Sequence, residues 1–169
     1  MKSLAGHLLI APPEERKPDF IRTVIVLIQH SEEQAVGVVL NRPTSKTVAK
    51  TWEGKRPCKC QQPVYSGGPV AGPLMALHTD KFLGEIEVLP GVFYSVRVKH
   101  VERLVQRPTG PFKILDSHVG WGPWQLERFV EEGGWKVLPA TPEQVFHAGP
   151  DLWEQVSKLV EWNAAPGPS

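Results

Sequence analysis

Two β-branched runs, Thr23 to Gln29 (TVIVLIQ) and Ala35 to Leu40 (AVGVVL), stand five residues apart, and this pair restricts the fold more than any other feature of the chain. Valine and isoleucine at this density favour extended backbone, and the polar link His30-Ser31-Glu32-Glu33-Gln34 has the length of a hairpin connection. The spacing predicts two adjacent antiparallel core strands. Neither run alternates apolar with polar residues, so both faces are expected to be covered, by helices or by further sheet.

The remaining pattern is of short mixed elements. Fifteen glycines and seventeen prolines in 169 residues make turns frequent and an all-helical bundle untenable. Arg42 to Lys59 is a loop-rich, basic excursion, with Arg42, Lys46, Lys50, Lys55, Arg56 and Lys59 against Glu53 alone and one short helix near Val48. Strand residues flank a Gly67-Gly68-Pro69 turn, another short strand follows at Leu74 to His78, and Leu89-Pro90-Gly91 joins Glu85–Val88 to Val92–Val96 as a hairpin. Helical spacing marks Lys99 to Arg107, and a short strand is expected over Phe112 to Leu115. A helix over Trp124 to Glu132 stops at Gly133-Gly134, and Trp135 to Leu138 is a last strand. Capping boxes are expected at Thr141-Pro142-Glu143-Gln144 and at Asp151-Leu152-Trp153-Glu154, the second opening a helix that buries Leu152, Val156, Leu159 and Val160. Strands and helices in no βαβ order indicate α+β, as one domain over residues 1–163 with a fraying tail at 164–169.

Charge and motif content exclude several functions. Nineteen basic and eighteen acidic residues leave a net charge of +1, so the balance predicts no polyanion partner and makes nucleic acid an unexpected one. The longest aliphatic run, Val24 to Ile28, is far short of the about 20 residues a membrane span needs. The opening MKSLAGHLLIAPPEE is broken too early by Pro12 and Pro13 for a secretory signal, and the expected compartment is the cytosol. GxSxG, P-loop and GxGxxG strings are absent, and the six histidines show no i, i+4 pair and no HExxH, so no cofactor and no metal are expected. Cys58 and Cys60 form a CxC in the basic loop. They read as two ordinary loop thiols or, with Arg56 and Lys59 lowering the thiol pKa, as a redox-responsive pair.

Candidate ligand-contacting residues cluster at strand ends. Asn41 and Arg42 close the second core strand before Pro43, and Arg42, or Arg22 ahead of the first, offers a guanidinium for a carboxylate or phosphate. Ser66, Gly67 and Gly68 could add backbone N–H groups to the same anion, the other reading being a tight turn. Trp121 belongs to the unusual string GWGPWQLE, which pins a helix to the sheet or walls a pocket. His30 and His78 are the candidate acid/base groups.

LLIAPP (Leu8 to Pro13), DFIRTVIVLIQHSEEQAVGVVLNRP (Asp19 to Pro43), VYSGGPV (Val64 to Val70), Leu77-His78 and GWGPWQLE (Gly120 to Glu127) with Trp135 occur in this order. Together they resemble the YqgE/AlgH family of bacterial proteins, over about Leu8 to Val156. The chain departs at Gln34 and Trp124, each standing where the family has a glycine, and the CxC is outside the pattern. The resemblance implies an α+β domain whose mixed, largely antiparallel, bifurcated sheet partly closes into a small barrel flanked by short helices. No established reaction comes with it, although some members carry the label of transcriptional regulator. A helix-turn-helix, a zinc finger and a basic helix are all missing, so direct DNA binding is the reading least favoured. Two others remain. The first is a non-enzymatic binding or regulatory module for a small ligand or protein partner, and the second an enzyme using His30 or His78 with Arg22 or Arg42. The oligomeric state is not legible.

The core assignment has a direct test. Val26→Asp buries an unpaired carboxylate, a cost of several kcal/mol against a total stability of roughly 5–15. Circular dichroism and gel filtration should find no soluble folded protein.

Overall fold

Val24 to Ile28 are 2 % exposed or less, so the first run is covered on both faces as its lack of alternation requires. The computed structural model describes residues 2–162; the expected domain limit at residue 163 and the tail at 164–169 lie outside the described residues. In chain order the elements are β1 (His7–Ile10), β2 (Val24–His30), β3 (Ala35–Val39), β4 (Pro43–Thr47), α1 (Val48–Thr51), β5 (Pro63–Tyr65), β6 (Val70–His78), β7 (Ile86–Leu89), β8 (Val92–Ser95), α2 (Val98–Gln106), β9 (Phe112–Trp121), α3 (Gln125–Gly133), β10 (Lys136–Pro139), α4 (Pro142–Val145) and α5 (Leu152–Ser157).

β2 and β3 form the predicted hairpin, Val26 opposite Val38 and His30 opposite Ala35, with a bulge between Leu27 and Gln29. His30 ends the first strand rather than sitting in the link. The sheet runs β10-β1-β2-β3-β9-β6-β8-β7, antiparallel throughout, with β5 off this path, parallel to β9 and antiparallel to β4. One edge of β9 is therefore divided. Ile114 and Leu115 pair with β5, whereas Val119 to Trp121 pair with β3, and the sheet forks between them. It curls into a half-barrel with short helices around it, the α+β class expected from the sequence. Curling brings β7 back over the start of β1. Gly6, at φ +79, lies where a Cβ would come within 2.6 Å of the Val88 carbonyl oxygen, so the approach requires a residue without a side chain.

Ser66-Gly67-Gly68 fills the fork. Ser66 N–H donates to Arg42 O at 2.9 Å, and Gly67 O accepts from Val39 N–H at 2.8 Å. The N–H groups of Gly67 and Gly68 both donate to Ser117 Oγ, at 2.9 and 3.2 Å, while that hydroxyl donates to Asp116 Oδ1 at 2.8 Å. A Cβ on Gly67 would lie 2.1 Å from Ser117 O, and one on Gly68 would lie 2.3 Å from His118 O. The glycines thus serve a close approach of two backbones, neither a simple turn nor a set of free N–H donors.

Other elements differ in extent from expectation. Pro43–Thr47 within the basic excursion is a strand, because Pro43 and Thr47 find partners in Tyr65 and Pro63. β6 is nine residues long with an irregular register between Ala71 and Met75, and β9 is ten, so Gly120 and Trp121 end a strand instead of opening a helix. Trp124 caps α3 in the left-handed region, φ 62, where a non-glycine residue costs about 1–2 kcal/mol. The capping box at Thr141 forms. The one expected at Asp151 does not, since its carboxylate engages His147 Nε2 at 2.7 Å and Gln155 Nε2 at 3.1 Å. In the last helix Leu152, Trp153 and Val156 are buried, but Leu159 is 60 % exposed.

The fork leaves no room at residue 67. Gly67→Ala should cost about 1–3 kcal/mol or more, as overpacked interiors do, and lower the melting temperature by about 5 °C or more in a calorimetric scan.

Candidate functional site

Helix α2 turns Val101, Leu104 and Val105 into a second, smaller core with Val48, Cys58, Val64, Ala76 and Ile114. The helical period then sends Lys99, Arg103 and Arg107 outward. Arg97 provides no capping side chain, and Glu85 takes that role from the approach to β7. Its Oε2 accepts from Val96 N–H at 2.9 Å and Arg97 N–H at 3.0 Å and lies 3.0 Å from His100 Nδ1. Burial pushes the Glu85 carboxyl up, but these donors together hold it below the ordinary range. From the end of α2, Gln106 Nε2 donates to Pro57 O at 2.8 Å and so fixes the loop that carries Lys55 and Arg56.

Between loop and helix runs a groove of about 520 Å³ lined by Lys55, Arg56, Val98, Lys99, Glu102, Arg103, Gln106 and Arg107. It gathers five cations and one carboxylate. Among the described residues no carboxylate oxygen lies within 4 Å of any of the five. A second hollow of about 260 Å³ continues from it, walled by Trp52, Pro73, Leu74, Val98 and Val101, and Val98, 61 % exposed, belongs to both. The two make one trough along α2, basic at one end and apolar at the other.

The residues singled out from the sequence lie elsewhere. Asn41, Arg42, Ser66, Gly67 and Gly68 do converge at the fork, but each is engaged by the backbone around it. Asn41 is buried, its Oδ1 accepting from Val24 N–H at 3.0 Å and its Nδ2 donating to Arg22 O at 2.8 Å. Arg42 is half-buried, and its Nη2 donates to Pro18 O at 2.7 Å and Ile21 O at 3.0 Å. Burial draws its pKa down against the upward pull of Asp19. Arg22 is exposed, 5.4 Å from the Trp153 ring and 3.8 Å from Glu154. His30 Nδ1 accepts from Leu4 N–H at 2.9 Å, which leaves the proton on Nε2, 2.6 Å from Glu127 Oε1. Burial raises the Glu127 carboxyl, but the bond from His30 brings it below its ordinary value. His78 is 1 % exposed. Its Nδ1 accepts from Asp80 N–H at 3.1 Å, so Nε2–H donates to Ser95 Oγ at 2.8 Å, and Ser95 donates to Leu83 O at 2.6 Å. Burial lowers its pKa against Asp80 and Glu85 and keeps the ring neutral.

Register separates His30 from His78, Arg22 and Arg42. His78 faces Phe112 at one end of β9, and His30 reaches Trp121 at the other through Ala35, about 30 Å away at about 3.3 Å per residue. Arg22 and Arg42 flank the start of β2, about 20 Å from His30 at its end. Trp121 is buried against Phe129, ring centroids 5.5 Å apart, in a cluster with Phe20 and Trp135. Cys60 N–H donates to Cys58 Sγ at 3.3 Å, and burial pushes the Cys60 thiol up, the reverse of the lowering expected from nearby cations. Among the described residues no three His, Cys, Asp or Glu side chains group to hold a metal, and no helix is long and apolar enough to cross a membrane.

Comparison with known proteins adds to this geometry. A family model described as AlgH-like matches residues 8–165. The chain is 35 % identical to a UPF0301 protein of Myxococcus xanthus, covering 91 % of this chain and 89 % of that one. It is 32 % identical to the UPF0301 protein AlgH of Pseudomonas aeruginosa, over 88 % and 83 %. The solution structure of AlgH superposes with a TM-score of 0.78 at 28 % identity, covering 94 % of this chain and 88 % of that one. The crystal structure of DIP2367 from Corynebacterium diphtheriae gives 0.74 at 26 % identity, covering 96 % and 87 %.

One functional-looking side chain escaped the sequence reading altogether. Lys113 is 3 % exposed. Its Nζ donates to Leu40 O and His147 O, each at 2.9 Å, and stands 4.5 Å from the Tyr65 ring centroid. No carboxylate within 4 Å is found among the described residues, and burial pulls its pKa down to about 7. Two carbonyls match the two N–H bonds of a neutral amine. The unfolded chain binds this proton up to about pH 10.4, the folded chain only to about 7. Between these values the unfolded state holds the extra proton, so stability rises with pH. Urea midpoints should therefore climb from about pH 7 to about 10 in the native protein, and Lys113→Met should remove that part of the rise.

Proposed function

The chain belongs to the AlgH-like family, and we propose that it is a non-enzymatic binding module whose contact surface is the basic trough along α2. The observation that carries this reading is the convergence of Lys55, Arg56, Lys99, Arg103 and Arg107 on one groove without an ion-pair partner among the described residues. Like charges held this close repel one another, and an anionic partner relieves the repulsion while gaining several charge-assisted contacts. Each exposed contact contributes at most about 1 kcal/mol, so binding depends on their number and weakens with salt.

The trough supplies no acid/base pair for chemistry. Its ionisable groups are lysines, arginines, Glu102 and, in the apolar hollow, Glu53, and the two candidate histidines are closed off in separate hydrogen-bond chains. Two free thiols support a reducing, cytosolic setting.

Fluorescein-labelled polyglutamate tests the surface. Its anisotropy should rise on addition of the protein at low salt and fall back as salt is added. The double variant Arg103→Glu, Arg107→Glu should weaken binding about tenfold or more with little change in melting temperature, because rim charges govern association more than folding. Equal binding by the variant, or none by the native protein at low salt, refutes the reading.

A further inference from the structure

Resting on that reading, we infer that the trough takes an acidic protein segment, whose one apolar side chain seats in the hollow of Trp52, Pro73, Leu74 and Val98 while the carboxylates after it meet Arg103 and Arg107. The first support is continuity. Val98 belongs to both ends, and the wall Trp52-Glu53-Gly54 passes directly into Lys55 and Arg56. An apolar hollow and a set of charges thus adjoin at Val98. From Val98 to Arg107 the helix spans about 13 Å, the reach of about four extended residues, which suits a short segment.

The apolar end argues against nucleic acid. A half-buried Leu74 and an exposed Val98 offer nothing to phosphate, whereas they suit an aliphatic side chain. Base stacking needs an open aromatic face. Trp52 lies so close under Gly54 that a Cβ there would stand 2.4 Å from its ring, so that face is covered.

The test uses two fluorescein-labelled peptides, Leu-Glu-Asp-Glu-Glu and Ser-Glu-Asp-Glu-Glu, and a short random-sequence DNA duplex, titrated with the full chain and followed by anisotropy at equal salt. The leucine peptide should bind about tenfold more tightly than the serine peptide, the value of burying one aliphatic side chain. Val98→Ser should abolish that advantage and leave the serine peptide's affinity unchanged, whereas Arg103→Glu should weaken both peptides. Equal affinity of the two peptides, or an advantage that survives Val98→Ser, overturns the anchored segment while leaving the anion surface standing. Tighter binding of the duplex than of the leucine peptide overturns it in favour of nucleic acid. Failure of both peptides, together with polyglutamate, removes the surface itself.

Discussion

The divided edge of β9 is the constraint on which the rest of the structure depends. Two strands, β3 and β5, share one side of a third, and the backbone groups between them must still find partners out of reach of water. Three buried polar side chains supply them. Ser117 accepts the N–H groups of Gly67 and Gly68, Asn41 satisfies Val24 N–H and Arg22 O, and Lys113 donates to Leu40 O and His147 O. Removing any of them leaves buried groups unsatisfied, which costs more than the bond itself contributes. These side chains look functional by type and are structural by position.

The fork also separates two kinds of cation. Lys113, between strands and carbonyls, loses hydration and gains no counter-ion among the described residues, and its charge is therefore poorly held in the folded state. The cations of the trough lie exposed at the surface, and no carboxylate pairs with them among the described residues. Glu85 fixes the start of α2. Its bonds from the approach to β7 anchor the helix that carries Lys99 and Arg103 to the far edge of the half-barrel.

The hairpin of β2 and β3, the hairpin of β7 and β8, helix α2 and the capping box at Thr141 were legible in the sequence because each depends on residue type and spacing over a few positions. The full lengths of β6 and β9 were not. Ala71-Gly72-Pro73 and Asp116-Ser117-His118 have little strand propensity, and it is the cross-strand pairs Val70–His118 and Ala71–Ser117, beyond the irregularity, that extend both strands. The basic stretch from Arg42 to Lys59 was visible as composition. Only folding brings its Lys55 and Arg56 against three cations of α2, more than forty residues later in the chain. That Arg42 is engaged internally could not be read locally either, since its partners are the carbonyls of Pro18 and Ile21. By itself, then, the sequence determined the elements whose hydrogen bonds and apolar periods close within themselves, together with the family resemblance. Tertiary structure alone decided which strands share β9, which polar groups are thereby buried, and which charges stay outside, because those depend on contacts between residues far apart in the chain.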